Sequence, residues 1–264
     1  MRRWAREVIN ATTLAGKLVP PYAATLSDGD AAPPPNAPGR PATLVIEHAR
    51  RVSVPPVAGM RDPAQRARIL HALANHELQA IELFAWALLK FPELPPTFAT
   101  GLAGIAAEEQ RHLQLYLDRL AAHGLGFGDQ PVTGHFWNKL ELLSTPLGFL
   151  CGMGLTFENA NLDFAGDYAR AARAAGDHAT ADALDVVHAD EIGHVHFAWT
   201  WVRRLAPDRA PWDVYVEHAT FPLGPNRARG RDLDVAARQR AGLDAEFIAG
   251  LAAAAPTRPG GGPR

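Results

Sequence analysis

The sequence predicts an all-α protein built on a four-helix bundle, with a long crossover between the second and third helices. Three observations predict it. Apolar residues recur at three- and four-residue steps along long stretches. Pro and Gly punctuate the ends of those stretches. The links between them run short, long, short, which folds the stretches into two antiparallel hairpins joined by one crossing connection.

The elements follow in order. Residues 4–17 suit a short helix, and residues 19–41, "VPPYAATLSDGDAAPPPNAPGRP", read as an extended surface arm because Pro, Gly and small polar residues dominate them. A short segment, "TLVIEHARR", leads to a second Pro-containing connection, "SVPPVAGMRDP". The first long helix spans about 64–91, with Leu70, Leu73, Ala74, Glu77, Ala80, Ile81 and Phe84 in register, and "PELPP" stops it. The second spans about 97–123 and ends at "HGLG", a glycine C-cap signature. "LGFGDQPVTGHFWNKLELLS" is long enough to cross along a bundle. The third helix spans about 145–176 and the fourth about 177–205. Short helices fit near 211–218 and 231–252, and the terminal "PTRPGGGPR" reads as disordered. The expected organisation is therefore an N-terminal helix and arm over 1–61, a bundle over 62–206, and an Arg-rich extension over 207–264 whose last ten or so residues are disordered.

Bulk properties narrow the class. The chain has 264 residues, ample for a large core, and is 47% hydrophobic and 20% charged, as globular proteins are. A net charge of -2 and a pI near 6.6 give no global attraction to nucleic acid or anionic membrane. The lone cysteine, Cys151, excludes an intrachain disulfide and a Cys-x-x-Cys metal site. Glu7, Asn10, Thr12, Thr13 and Lys17 interrupt any signal-like apolar run after Arg2 and Arg3. The longest apolar run, "PLGFLCGMGLTF", is too short and glycine-rich to span a bilayer. A cytoplasmic protein without a membrane partner is expected.

The chemistry lies in a repeated motif. "EEQRH" at 108–112 and "DEIGH" at 190–194 share one form: acid, Glu, two spacers, His. Residues three apart on a helix share a face, so Glu109 with His112, and Glu191 with His194, can each aim a carboxylate and an imidazole at one point. Twelve Glu and eleven His give about half a Glu-x-x-His by chance, so two carry weight. The repeat extends further. Glu77 precedes Glu109 by 32 residues and Glu158 precedes Glu191 by 33, so the chain reads Glu…Glu-x-x-His twice at nearly one period. The candidate ligand set is four carboxylates and two imidazoles from four helices, the set of di-iron and di-manganese carboxylate bundles.

"ANHELQAIELFAWALLKFPELP", "EEQRHLQLY", "FENANLDFAGDY", "HADEIGHVHFAW" and "PNRAR" resemble the ferritin-like di-iron carboxylate superfamily, and within it an uncharacterised bacterial ferritin-like family. The resemblance covers nearly the whole chain. The bundle is also similar to the tRNA hydroxylases and quinone-biosynthesis hydroxylases of that superfamily, in which an alanine follows the first-helix glutamate by three positions. Ala80 follows Glu77 in that way, which favours Glu77 over Glu82 as the ligand. The resemblance implies two iron ions, or a manganese and an iron, with Glu109 and Glu191 bridging and Glu77 and Glu158 terminal. It also implies that Asp190 steadies His112 and that Glu108 steadies His194 through the ring N–H that faces away from metal.

Other residues have plainer readings. Tyr116, one turn beyond His112, repeats the spacing around the radical tyrosine of ribonucleotide reductase small subunits, but packing accounts for it more simply. Cys151 fits a small core residue. His76, His188 and His196 flank ligand positions on other faces, with His188 the reserve ligand. Glu82 and Asp163 each follow a terminal glutamate by five residues and fit as braces of the site or a pocket wall. Trp86, Trp199 and Trp201 fit the core. Between 203 and 240 eight Arg face five acids, either a solvated face or a phosphate-binding patch.

The function these features imply is an O2-dependent oxidoreductase, hydroxylating or oxidising a small organic substrate with electrons from an external donor. O2 is the co-substrate, the assembly a monomer or homodimer, and no catalytic or substrate-binding residue is assigned beyond the metal site. The alternatives are an iron-storing, ferroxidase or peroxide-detoxifying protein, and, among enzymes, a tRNA-modifying hydroxylase.

Overall fold

The computed structural model describes residues 1–21, 32–46 and 52–255. The regular secondary structure of the described residues is all helical, with no strand among them. The middle of the arm at 22–31, residues 47–51 and the terminal "PTRPGGGPR", expected to be disordered, lie outside the described residues. No described helix is long and apolar enough to cross a membrane. The chain divides into two compact units, Met1–Pro55 with Asp62–Leu140, and Pro56–Arg61 with Glu141–Arg264.

The first unit is built on a hairpin of α3 (Pro63–Lys90) and α4 (Pro96–Ala122). Asp62 starts α3 by accepting the Gln65 N–H at 2.8 Å, and Pro63 fills a position that needs no donor. Pro92 and Pro95 forbid its continuation, so the chain turns and Pro96 opens α4. Gly124, with φ of 71°, closes α4, and Leu125 N–H returns to the Leu120 carbonyl at 3.1 Å. From Glu77 to Leu89 every residue of α3 is buried. α3 is therefore covered on more than one side, beyond the face marked by the residues in register.

The N-terminal chain supplies part of that cover. The expected helix over 4–17 is two helices, α1 (Arg2–Asn10) and α2 (Leu14–Lys17), because Ala11 is extended and Thr13 restarts the helix by capping Gly16. Trp4, Ala5, Val8 and Ile9 form the buried face of α1, which packs on α3. Gln110 of α4 donates to the Lys17 and Val19 carbonyls at 2.9 and 2.8 Å, fastening the chain after α2. Besides the Trp137 Nε1 donation to Glu82, the crossover is tied to α3 through three backbone groups. Gly128 N–H donates to His71 Nε2, Asn75 Nδ2 to the Thr133 carbonyl, and Phe136 N–H to Gln79 Oε1.

The second unit is built on the third and fourth long helices. The third is not uniform. It opens as α5 (Pro146–Phe149), capped by Thr145, widens into a π-helix at Leu150–Glu158, and continues as α6 (Asn159–Ala174). Every residue of the π-helical segment is buried. A Cβ on Gly154 would lie 2.2 Å from the Ala198 Cβ of α7 (His178–Leu205), so the glycine is what lets the two helices approach. Asp177 caps α7 through the Thr180 N–H and hydroxyl, a contact of the kind that contributes about 1 kcal/mol. Beyond α7 lie α8 (Pro211–His218), α9 (Val235–Arg240) and α10 (Ala245–Ala253). The single helix expected near 231–252 is therefore two, parted at Gly242 with φ of 87°.

Candidate metal centre

Each unit carries its own buried triad of two carboxylates and an imidazole. In the first, α3 brings Glu77 and α4 brings Glu109 and His112. One ligand-type atom from each lies within 4.8 Å of the others. Glu109 and His112 are fully buried, with His112 Nδ1 3.4 Å from Glu109 Oε2. In the second unit, the end of the π-helix brings Glu158 and α7 brings Glu191 and His194, again within 4.8 Å of one another. His194 Nδ1 lies 3.2 Å from Glu191 Oε2 and 3.9 Å from Glu158 Oε2. The Glu-x-x-His spacing works as helix geometry requires, one carboxylate and one imidazole per turn on a common face.

These groups fit a metal. Two carboxylates drawn together away from water are stable only with a proton or a cation between them. Carboxylate oxygen with imidazole nitrogen is a donor set suited to iron, manganese or zinc and poorly suited to soft metals. In both triads Nδ1 is the ring atom beside the carboxylates, which leaves Nε2 for a second partner.

One residue of the site was missed in the sequence. Asn161 Nδ2 donates to Glu191 Oε1 at 2.9 Å. Asn161 stands three positions after Glu158, as Ala80 stands three after Glu77, so the same offset marks both positions.

The remaining candidates take these places. Glu108 is half-buried and lies 3.9 Å from Arg111, and Asp190 is half-buried on α7. Tyr116 is buried in α4. His188 Nε2 lies 3.0 Å from the Leu162 carbonyl and 3.4 Å from Asp234, and His196 Nδ1 lies 3.0 Å from the Ala241 carbonyl. His76 stacks on Phe136. Cys151 is buried in the π-helix, where loss of water pushes its thiol up to about 12, so it is a neutral core thiol. Trp86, Trp199 and Trp201 are in the core.

Glu82 and Asp163 turn away from the triads. A step of five residues rotates a side chain roughly 140° around a helix. Glu82 receives Arg40 through Nε and Nη2 at 2.8 and 2.6 Å, Lys17 Nζ at 2.8 Å and Trp137 Nε1 at 2.8 Å. Asp163 receives Arg238 through Nη1 and Nη2 at 2.7 and 3.0 Å, with the Gly230 and Asp234 N–H groups at 2.8 and 2.7 Å. Burial pulls the Lys17 ammonium below its ordinary value, while Glu82 opposes that pull.

The Arg-rich tail does not present all its charge outward. Arg238 is fully buried on Asp163, and Arg229 closes the end of α10 on the Leu251, Ala252 and Ala254 carbonyls. Arg203 and Arg204 lie over the Trp199 and Trp201 rings, and Arg209 pairs with Glu217.

An all-helical chain with two buried carboxylate–histidine triads defines a candidate metal-binding protein of the all-α class. Residues 2–249 match the family described as "Protein of unknown function (DUF455)", and the chain belongs to that family. No curated protein and no solved structure matches the chain.

Proposed function

We propose that the protein is a di-metal carboxylate oxidoreductase, in which the two hairpins are the halves of a ferritin-like four-helix bundle and each triad serves one of two iron ions, or a manganese and an iron. The observation that carries this is the duplication. The same spacing, Glu…Glu-x-x-His, yields the same buried triad twice, with ligand-type atoms within 4.8 Å in each.

Glu77, Glu109 and His112 would hold one metal, and Glu158, Glu191 and His194 the other. Such a metal pair, when bound, supplies a place to bind O2 and electrons to reduce it. The chain does the rest. Burial of both triads keeps bulk water from the reacting groups. Asn161 fixes the orientation of Glu191 through its Oε1. As the resemblance to the ferritin-like superfamily implies, Asp190 and Glu108 would accept the Nε2 protons of His112 and His194 and so present Nδ1 to metal. An external reductase supplies electrons, and the substrate is a small organic molecule.

The test is anaerobic loading with Fe(II) followed by rapid mixing with O2. Stoichiometric O2 uptake with a new Fe(III) absorbance, decaying faster with a candidate substrate, supports an oxygenase or oxidase. Absent O2 uptake by the loaded protein contradicts it. Native mass separates the storage alternative, since a 12- or 24-subunit shell would make iron storage the primary role.

A further inference from the structure

We infer that Arg40 and Arg238 are positioning residues for the two metal triads, so that one residue before α3 and one on α9 support the metal site. This rests on the di-metal reading above and deepens it.

The duplication does not stop at the ligands. Five residues after Glu77 stands Glu82, and five after Glu158 stands Asp163. Both carboxylates are fully buried and both accept two bonds from one guanidinium. Neither arginine lies on a long helix. Arg40 precedes α3 and Arg238 is on α9. Two separate chain segments thus deliver the same group to the same register position of the two halves. A requirement of packing alone needs no arginine at either point, since an apolar side chain of similar size fills a buried gap as well or better.

Each guanidinium also reaches the backbone or side chains beside the ligand. Arg40 Nη1 donates to Asn75 Oδ1 at 3.3 Å, and Asn75 is two residues before Glu77. The Asn75 carbonyl in turn accepts Gln79 Nε2 at 3.2 Å, two residues after Glu77. Arg238 Nη2 donates to the Asn159 carbonyl at 3.0 Å, and Asn159 directly follows Glu158 where the π-helix reverts to α. The planar, five-donor fork of arginine spans a carboxylate and a neighbouring carbonyl or amide at once, which lysine does not. Each clamp therefore fixes the rotation of the helical turn that carries Glu77 or Glu158, the one member of each triad that shares its helix with no other member.

The test uses Co(II) alone as the probe on the full-length protein, followed by titration with visible absorbance under exclusion of air. Wild type is expected to take up two Co(II) per chain. Arg238→Lys is expected to weaken one of the two equivalents at least about tenfold, a scale set by partners that orient metal ligands. Arg40→Lys is expected to do the same, and the double variant to weaken both. Asp163→Asn provides a second entry to the Arg238 clamp if Arg238→Lys does not fold. Leu251→Ala, a buried truncation that leaves the residues of both clamps in place, is the stability control.

Loss of one equivalent per clamp variant, with both retained in Leu251→Ala at a matched fall in Tm, supports the inference. Two undiminished equivalents in folded Arg238→Lys and Arg40→Lys overturn it and leave the di-metal reading standing. Equal weakening of both equivalents in Leu251→Ala also overturns it, since general destabilisation then explains the effect. No Co(II) uptake by wild type removes the di-metal reading and the inference together.

Discussion

Glu82 illustrates what a single residue contributes in this protein. Its side chain is buried and is met by Arg40, Lys17 and Trp137. Glu82→Ala leaves two cations buried without their carboxylate, and loss of one partner of such a pair costs about 3–5 kcal/mol. Urea unfolding checks this; a loss below about 1 kcal/mol would mean that the cluster is wetter than it looks. His71 carries a pH signature. Burial lowers its pKa from 6.5, and Nε2 accepts the Gly128 N–H, so the folded ring is neutral. The unfolded chain then binds the extra proton first. Stability is full above about pH 6.5 and falls as pH drops from there toward the lowered folded value. His71→Gln is expected to flatten that fall in Tm measured from pH 7 to 5. At this scale the sequence exposed the ligand-type residues because they repeat and obey helix periodicity. It also marked Glu82 and Asp163 by their common offset. It could not name Arg40 and Arg238, because the pairing of an arm or tail residue with a helix 42 or 75 positions away leaves no local pattern.

Among the elements, the third long helix departs most from its sequence pattern. Its span of about 145–176 was legible from Thr145, Pro146 and Gly176. Its interior was not. A π-helix has no strong local signature, and "LCGMGLTFE" is apolar on every face, so periodicity gives no warning of a wider turn. Thr156 lends support inside it, donating to the Cys151 carbonyl five residues back at 2.8 Å and lying 3.0 Å from the Tyr215 hydroxyl. Gly154→Ala forces the new methyl against Ala198, and overpacking of this kind costs about 1–3 kcal/mol. Thermal unfolding tests it, and an unchanged Tm would show that α7 and the π-helix can part without cost. The splits at Ala11–Thr13 and at Gly242 have simpler origins. A Thr cap restarts one helix and a positive-φ glycine ends another, signals visible in the sequence but competing there with continuous helix periodicity.

At the scale of the whole molecule, each of the two compact units contains one hairpin, one triad and one buried arginine clamp. The arm is described with the first hairpin and the tail with the second. That distribution follows from chain order, and with it each unit receives its own arginine, Arg40 on Glu82 and Arg238 on Asp163. On the proposed function, metal binding would add stability, because the unfolded chain does not assemble either triad. A metal at 100 times its Kd contributes about 2.7 kcal/mol. Anaerobic Fe(II) or Mn(II) is therefore expected to raise Tm in wild type and to raise it less in Glu109→Ala. The central claim is that the two triads hold two metal ions, and its most direct measurement is the metal content of protein equilibrated anaerobically with Fe(II) and freed of excess. Two iron ions per chain are expected in wild type, with a loss in Glu109→Ala and in Glu191→Ala. Absence of bound iron in wild type, or a full complement retained in both variants, would contradict it.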